Sequence, residues 1–86
     1  MIEKISLDTL KPGEKGRVRG LFLAEDIKRR LQDMGLVQGT SVECAYKSPL
    51  GDPAAYIVKG AVIAIRSKDS KKITVDYEGK AVTNKS

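Results

Sequence analysis

The first half of the chain carries apolar residues at helical spacing. Steps of four, four and three residues place one apolar face on a helix, made of Leu23, Ile27, Leu31 and Met34. Gly35 follows the last of them, where a helix often ends in the left-handed region that glycine enters without strain. The spacing therefore predicts a helix that ends at Gly35 and packs its apolar face on the core.

A strand pattern follows the helix stop. Leu36 is placed to fold back on Leu31 across the stop, and Gly39 marks a second turn. From Thr40 to Lys47 apolar and polar residues alternate, which is typical of a strand with one buried face. The residues predicted to face the core are Val42, Cys44 and Tyr46. The stretch from 27 to 40 is thus interpreted as a helix-to-strand corner.

Four further strands are predicted between glycine and proline corners, at residues 14–23, 54–58, 61–66 and 71–77. Pro12 and Gly13 predict a type II turn before the first. Lys59 and Gly60 predict the two-residue turn of a hairpin. Because both faces of residues 61–65 are apolar, that strand is expected to be central and covered.

The predicted elements amount to one small domain over residues 1–86. Its ordered core is expected at about 7–77, with a flexible tail at 78–86. Five short strands favour a mainly β, small closed barrel, because closure removes exposed strand edges. One helix is inserted after the first strand.

The amino-acid composition limits the catalytic and metal-binding chemistry that the chain can support. The chain has no histidine, which removes the usual general base and the commonest transition-metal ligand. Cys44 is its single cysteine, predicted to be a buried, unreactive core residue in a reducing compartment. The expectation is therefore no catalytic residue, no metal site and no cofactor. The longest apolar run, residues 61–65, is far too short to span a bilayer, so a cytoplasmic protein is expected.

Positive charge suggests an alternative. Sixteen basic and eleven acidic residues give a net charge of +5, with basic clusters at residues 28–30 and at Lys68, Lys71 and Lys72. Small barrels with basic loops can bind nucleic acid. A solvated charged face is the preferred interpretation, because a charge of +5 is moderate and only four aromatic residues are present.

Four segments together resemble one known family. They are residues 10–16, 30–40, 49–53 with Tyr56, and Gly60 with 63–66, and in this order and spacing they are similar to the FeoA family over about residues 7–77. The positions that carry the resemblance are Pro12, Gly13, Leu31, Gly35, Leu36, Gly39, Pro49, Gly51, Pro53, Gly60 and Arg66.

The resemblance implies a five-stranded SH3-like barrel, a fold also found at the C-terminus of DtxR-type repressors. It implies a small cytoplasmic, non-catalytic accessory of bacterial ferrous iron uptake that regulates the FeoB permease by contact with its cytoplasmic GTPase domain or its membrane part. It also implies a location at the inner membrane through that permease. The family is described as transition-metal-binding, which leaves an iron-responsive regulatory domain as an alternative. Self-association through exposed strand edges is a further alternative.

Two groups of residues are predicted to contact the partner. The first is Leu50, Asp52 and Tyr56, because a loop stiffened by prolines loses little entropy on docking. The second is Arg29 and Arg30 on the helix, since arginine is enriched at interface hot spots. The alternatives are a loop that only closes one barrel end and a solvated helix face. Arg66 is expected to pair with Asp69 or Asp52.

Overall fold

The computed structural model describes residues 2–81 and shows a mainly β domain. Its elements are β1 (Lys4–Ser6), a 3₁₀ turn (Leu7–Thr9), β2 (Glu14–Leu21), α1 (Glu25–Asp33), β3 (Ser41–Lys47), β4 (Ala54–Val58), β5 (Ala61–Ile65), α2 (Ser67–Ser70) and β6 (Ile73–Lys80). The described part thus has six strands where the pattern predicts five. β1, with three residues, is too short to show a period, so α1 follows the second strand instead of the first.

The strands form one antiparallel sheet in the order β1-β6-β2-β3-β4-β5. β6, the last described strand in sequence, lies between β1 and β2, with Val75 opposite both Ile5 and Val18. Across residues 2–81 no hydrogen-bonded ladder joins β1 to β5. The barrel is therefore a strongly curled sheet that hydrogen bonding does not close.

The curl brings one face of the sheet around a single core. The buried apolar residues come from the 3₁₀ turn, from α1, from the loops after each of these, and from β2 to β6; they include Leu7, Leu10, Leu31, Leu36, Val58, Ile73 and Val75. Cys44 belongs to this core with no exposed surface, and burial raises the pKa of its thiol. Its predicted role as a small core residue is confirmed.

Bending of β2 depends on its glycines, as predicted. Its pairing with β6 shifts register at Lys15/Gly16 and again at Val18/Gly20. A Cβ on Gly16 would lie 2.8 Å from Val75 Cγ2 and 2.9 Å from the carbonyl oxygen of Asp76. A side chain at Gly16 would therefore force β2 and β6 apart.

Three expectations about the strands are wrong. A β-bulge between Cys44 and Tyr46 turns Tyr46 outward, where its side chain is 58% exposed. β5 is an edge strand and not a central one, and its Val62 is 60% exposed. β6 continues through Lys80, so residues 78–80 belong to the sheet and not to a tail. The rest of the expected tail, residues 82–86, lies outside the described residues.

Candidate interaction surface

The corner after α1 has the geometry that its sequence predicts. The amide N–H of Leu36 donates to the carbonyl of Leu31 at 3.0 Å, and that of Gly35 donates to Gln32 at 2.9 Å. Gly35 has φ +106°, which completes a Schellman stop. Leu31 and Leu36 are both buried. The three residues therefore have structural roles, and Gly39, at φ +92°, supplies the next turn.

The outward side of α1 carries the two predicted arginines. Arg29 and Arg30 are exposed, and within residues 2–81 neither forms an ion pair. The C-terminal end of α1 lies against the β4–β5 turn, because a Cβ on Gly35 would be 3.3 Å from both Val58 and Lys59. The two guanidinium groups are available to an anionic partner at that end of the domain.

The loop between β3 and β4 holds its own backbone in place. The amide N–H of Ser48 donates to Pro53 O at 3.2 Å, and that of Gly51 donates to Ser48 O at 2.7 Å. Gly51 takes φ +85°, a conformation that closes the turn at its tip. Leu50, beside it, is 94% exposed. An apolar side chain is thus displayed to solvent on a loop that is already ordered.

Asp52 fastens this loop to the helix that follows β5. Its Oδ1 accepts a hydrogen bond of 2.8 Å from the backbone N–H of Ser67, the first residue of α2. The predicted pairing of Arg66 with Asp52 or Asp69 is wrong, because no ion pair of Arg66 occurs within residues 2–81. The Asp52 carboxylate caps the helix start instead.

Tyr56 is not a surface contact residue. It is 1% exposed and lies opposite Cys44 on the inward side of β4. Burial raises the pKa of its hydroxyl to about 12, partly offset by a hydrogen bond with Ser70. The prediction that Tyr56 joins Leu50 and Asp52 at the surface is wrong, since Tyr56 packs in the core directly behind their loop.

The predicted contact residues fall on two separate surfaces. Leu50 and Asp52 lie just before Ala54, the first residue of β4, whereas α1 ends against Val58 and Lys59 at the other end of that strand. We call the first the loop surface (Leu50, Asp52) and the second the helix surface (Arg29, Arg30).

Tyr46 is an exposed residue that the sequence analysis missed. It is opposite Ala55, at the loop end of the sheet, and it adds an exposed aromatic ring near the loop surface. The alternating pattern placed it inside, because a bulge leaves no mark in a short apolar–polar alternation. Its neighbour in sequence, Ala45, offers no turn signal that would reveal the extra residue.

Two observations on the described residues bear on metal and small-molecule binding. From Ile2 to Ala81, no three Cys, Asp or Glu side chains come together as a metal-binding group. A cavity of about 40 Å³ lies behind the loop, between Asp8, Lys47 and Ser70, and has room for about one water molecule. None of the helices in this part of the chain is both long and apolar enough to cross a membrane.

The curled six-stranded sheet with its inserted helix defines an SH3-like domain. The family model described as FeoA domain matches residues 5–77. The chain therefore belongs to the FeoA family, a family of small proteins associated with ferrous iron transport. No relative is found among proteins of curated function.

Solved structures agree with this assignment. The FeoA protein of Chlorobium tepidum is 32% identical, with a TM-score of 0.82 over 85% of this chain and 70% of that one. Stenotrophomonas maltophilia FeoA, an SH3-domain protein complexed with zinc, is 30% identical, with a TM-score of 0.73 over 84% of this chain and 89% of that one. IdeR of T. acidophilum is 20% identical, with a TM-score of 0.77 over 91% of this chain and 36% of that one, and shares the fold.

Proposed function

We propose that this protein is a non-catalytic interaction module that docks on the cytoplasmic part of a FeoB-type ferrous iron permease and regulates it there. Family membership supports an iron-transport role. The S. maltophilia relative is described in terms of a ferrous iron transport activating factor. The absence of histidine from the chain is in keeping with a role that depends on contact and not on chemistry.

The observation that supports the proposal most strongly is that Leu50 is exposed to solvent on an ordered loop. A leucine that is 94% exposed contributes nothing to the core, yet its loop is held by two backbone hydrogen bonds and by the Asp52–Ser67 bond. An ordered loop loses little conformational entropy when a partner binds it. Covering the leucine would then contribute about 2 kcal/mol to binding.

The helix surface is proposed as a second contact. Arg29 and Arg30 carry no ion pairs within the described residues, so their charge is available to carboxylates or phosphates of the permease's GTPase domain. Because the loop and helix surfaces lie at opposite ends of β4, a partner that touches both would span one side of the domain. A partner that contacts only one of these two surfaces leaves the other surface free to bind a second protein.

The S. maltophilia protein was found with zinc, which raises the question of a metal here. The described part of this chain brings together no cluster of candidate ligands. We therefore propose regulation by contact, with iron as the cargo of the permease.

The test is an NMR titration of isotope-labelled protein with the permease's cytoplasmic GTPase domain, with and without a guanine nucleotide. We expect shifts at Leu50 and its loop, at Arg29–Arg30, or at both. Leu50→Ala should weaken binding about 30-fold, from the 2 kcal/mol above. Phe22→Ala is the matched control, because Phe22 is also exposed, at 71%, but follows β2.

Two results would contradict the proposal. One is the absence of shifts with the GTPase domain in every nucleotide state. The other is equal weakening by Leu50→Ala and Phe22→Ala, which would indicate non-specific apolar contact. A parallel titration with duplex DNA tests the nucleic-acid alternative, which predicts salt-sensitive shifts around Lys28 and residues 68–72.

A further inference from the structure

The free edge of β5 presents unpaired backbone groups. Lys59 and Gly60 have φ +50° and +82°, the two positive values of a type I′ hairpin turn. Val58 and Ala61, which flank the turn, therefore form a hydrogen-bonded pair. By alternation, the N–H and C=O groups of Val62 and Ala64 point away from β4.

No other element covers these groups. β5 is at the end of the strand order, and within residues 2–81 no hydrogen bond from outside the β4–β5 ladder reaches Val62 or Ala64. Both residues are exposed. The edge has neither a proline nor a bulge nor an inward-pointing charge, the devices that proteins use to block strand addition.

The outer face beside this edge is apolar as well. Ala64 lies opposite Ala55, which lies opposite Tyr46, and Val62 lies opposite Ile57. A strand added to β5 would extend these rows and bury Val62, which is 60% exposed, from the side. The edge therefore offers both main-chain hydrogen bonds and an apolar row.

The positive charges at the two ends of β5 disfavour a second copy of this chain as the added strand and favour an acidic segment. Lys59 precedes the strand and Arg66 follows it, and both are exposed. If a second copy paired antiparallel about Ile63, Lys59 would face Ser67 and Gly60 would face Arg66 of that copy, so Lys59 and the copy's Arg66 would be diagonal neighbours at both ends. That register places like charges together, which is destabilising. Asp52 and Asp69 lie near the Arg66 end, but neither is within ion-pair distance of Arg66.

We infer that the β5 edge binds an extended segment of another protein, apolar in its centre and acidic at both ends, as an added β-strand. The inference stands apart from the proposed permease docking, which uses the loop and helix surfaces. It concerns the open edge of β5, whose ends lie next to the helix surface at Lys59 and the loop surface at Arg66, and a different mode of recognition, in which main-chain hydrogen bonds supply affinity and the flanking charges supply selectivity.

The test uses a synthetic peptide of alternating threonine and valine with two glutamates at each end. Titration of the labelled protein should shift the amides of residues 61–66 and slow hydrogen exchange at Val62 and Ala64. A peptide with lysines in place of the glutamates, and one with N-methylated backbone amides, should bind at least tenfold more weakly.

Two sets of variants examine the edge itself. Val62→Pro removes one outward N–H at a position where proline is tolerated on an edge, and should weaken binding about tenfold. Val62→Thr keeps the N–H and should change binding less than threefold. If the proline variant does not fold, the double variant Lys59→Glu with Arg66→Glu tests the inference instead. With the charges at both ends of β5 reversed, it should bind the lysine-flanked peptide more tightly than the glutamate-flanked one.

Three outcomes would overturn the inference. The first is peptide shifts that avoid residues 61–66. The second is equal binding of the glutamate- and lysine-flanked peptides. The third is protection of Val62 and Ala64 that grows with protein concentration when no peptide is present, which would identify a second copy as the occupant.

Discussion

Substituting Gly35 by valine tests the corner that connects α1 to β3. At φ +106° an L-residue is strained, and a β-branched one more so, at about 1–3 kcal/mol. The new Cβ would lie 3.3 Å from Val58 Cγ1, and its methyl groups would press on a side chain with no exposed surface. Such overpacking costs about 1–3 kcal/mol.

One effect opposes this loss. Valine restricts the unfolded chain more than glycine does, which offsets about 0.4–1 kcal/mol. The midpoints of these ranges give a net loss of about 3 kcal/mol for Gly35→Val. For a domain of this size, the melting temperature should fall by about 10–25 °C.

Thermal and urea unfolding, followed by circular dichroism, measure this loss. The matched control is Gly39→Val, since Gly39 has φ +92° but an added Cβ would meet nothing within 4 Å. It should show the backbone strain without the overpacking, and lose about 1–3 kcal/mol less than Gly35→Val. A Gly35→Val protein as stable as wild type would refute the left-handed corner. Equal losses at the two glycines would refute the contact with Val58.

Three further predictions concern other parts of the domain. Gly16→Ala should destabilise by about 1–3 kcal/mol in urea unfolding, because its methyl would meet Val75 at 2.8 Å. Glu14→Gln should lower the melting temperature at pH 7, because the Glu14 carboxylate accepts hydrogen bonds from the Lys11 amide and the Tyr77 hydroxyl. These bonds lower the pKa of Glu14. The stability that the carboxylate contributes is therefore present above pH 4.5 and is lost as the pH falls through the lowered pKa. Leu50→Ala should change the free energy of unfolding by less than about 0.5 kcal/mol.

Each of these has a contradicting result. A Gly16→Ala protein of wild-type stability would mean that β2 and β6 can separate without cost. A melting-temperature difference for Glu14→Gln that stays constant from pH 7 down to pH 2.5 would exclude the carboxylate as its cause. A large loss of stability in Leu50→Ala would show that this side chain packs on the domain.

The turns could be predicted from the sequence because their chemistry is local. Gly13, Gly35, Gly39 and Gly60 all adopt positive φ in the structure, where the sequence places turns or a helix stop. The hairpin at Lys59 needs no knowledge of the rest of the fold. The family motifs consist largely of these corners, which is why they indicate the fold.

Residues whose position depends on strand order could not be predicted. Val62 belongs to an apolar strand, but composition does not tell an edge strand from a central one until its neighbours are known. Tyr46 depends on a bulge, and Tyr56 on which face of β4 turns inward. The candidate surfaces were predicted only in part, because Leu50 was identified from loop chemistry whereas Tyr46 required the three-dimensional register.

The placement of β6 has a consequence for how the chain acquires its structure. Ile5 and Val75 are paired although they are about 70 residues apart in sequence. Until residues 73–80 leave the ribosome, β1 has no partner and β2 lacks one of its two neighbours. The β2–β3, β3–β4 and β4–β5 ladders join neighbouring strands and need no such closure, whereas pairing β6 closes a long loop, which slows folding and leaves the edge of β2 open to chaperones during synthesis. Completion of the sheet therefore waits for β6, the last described strand.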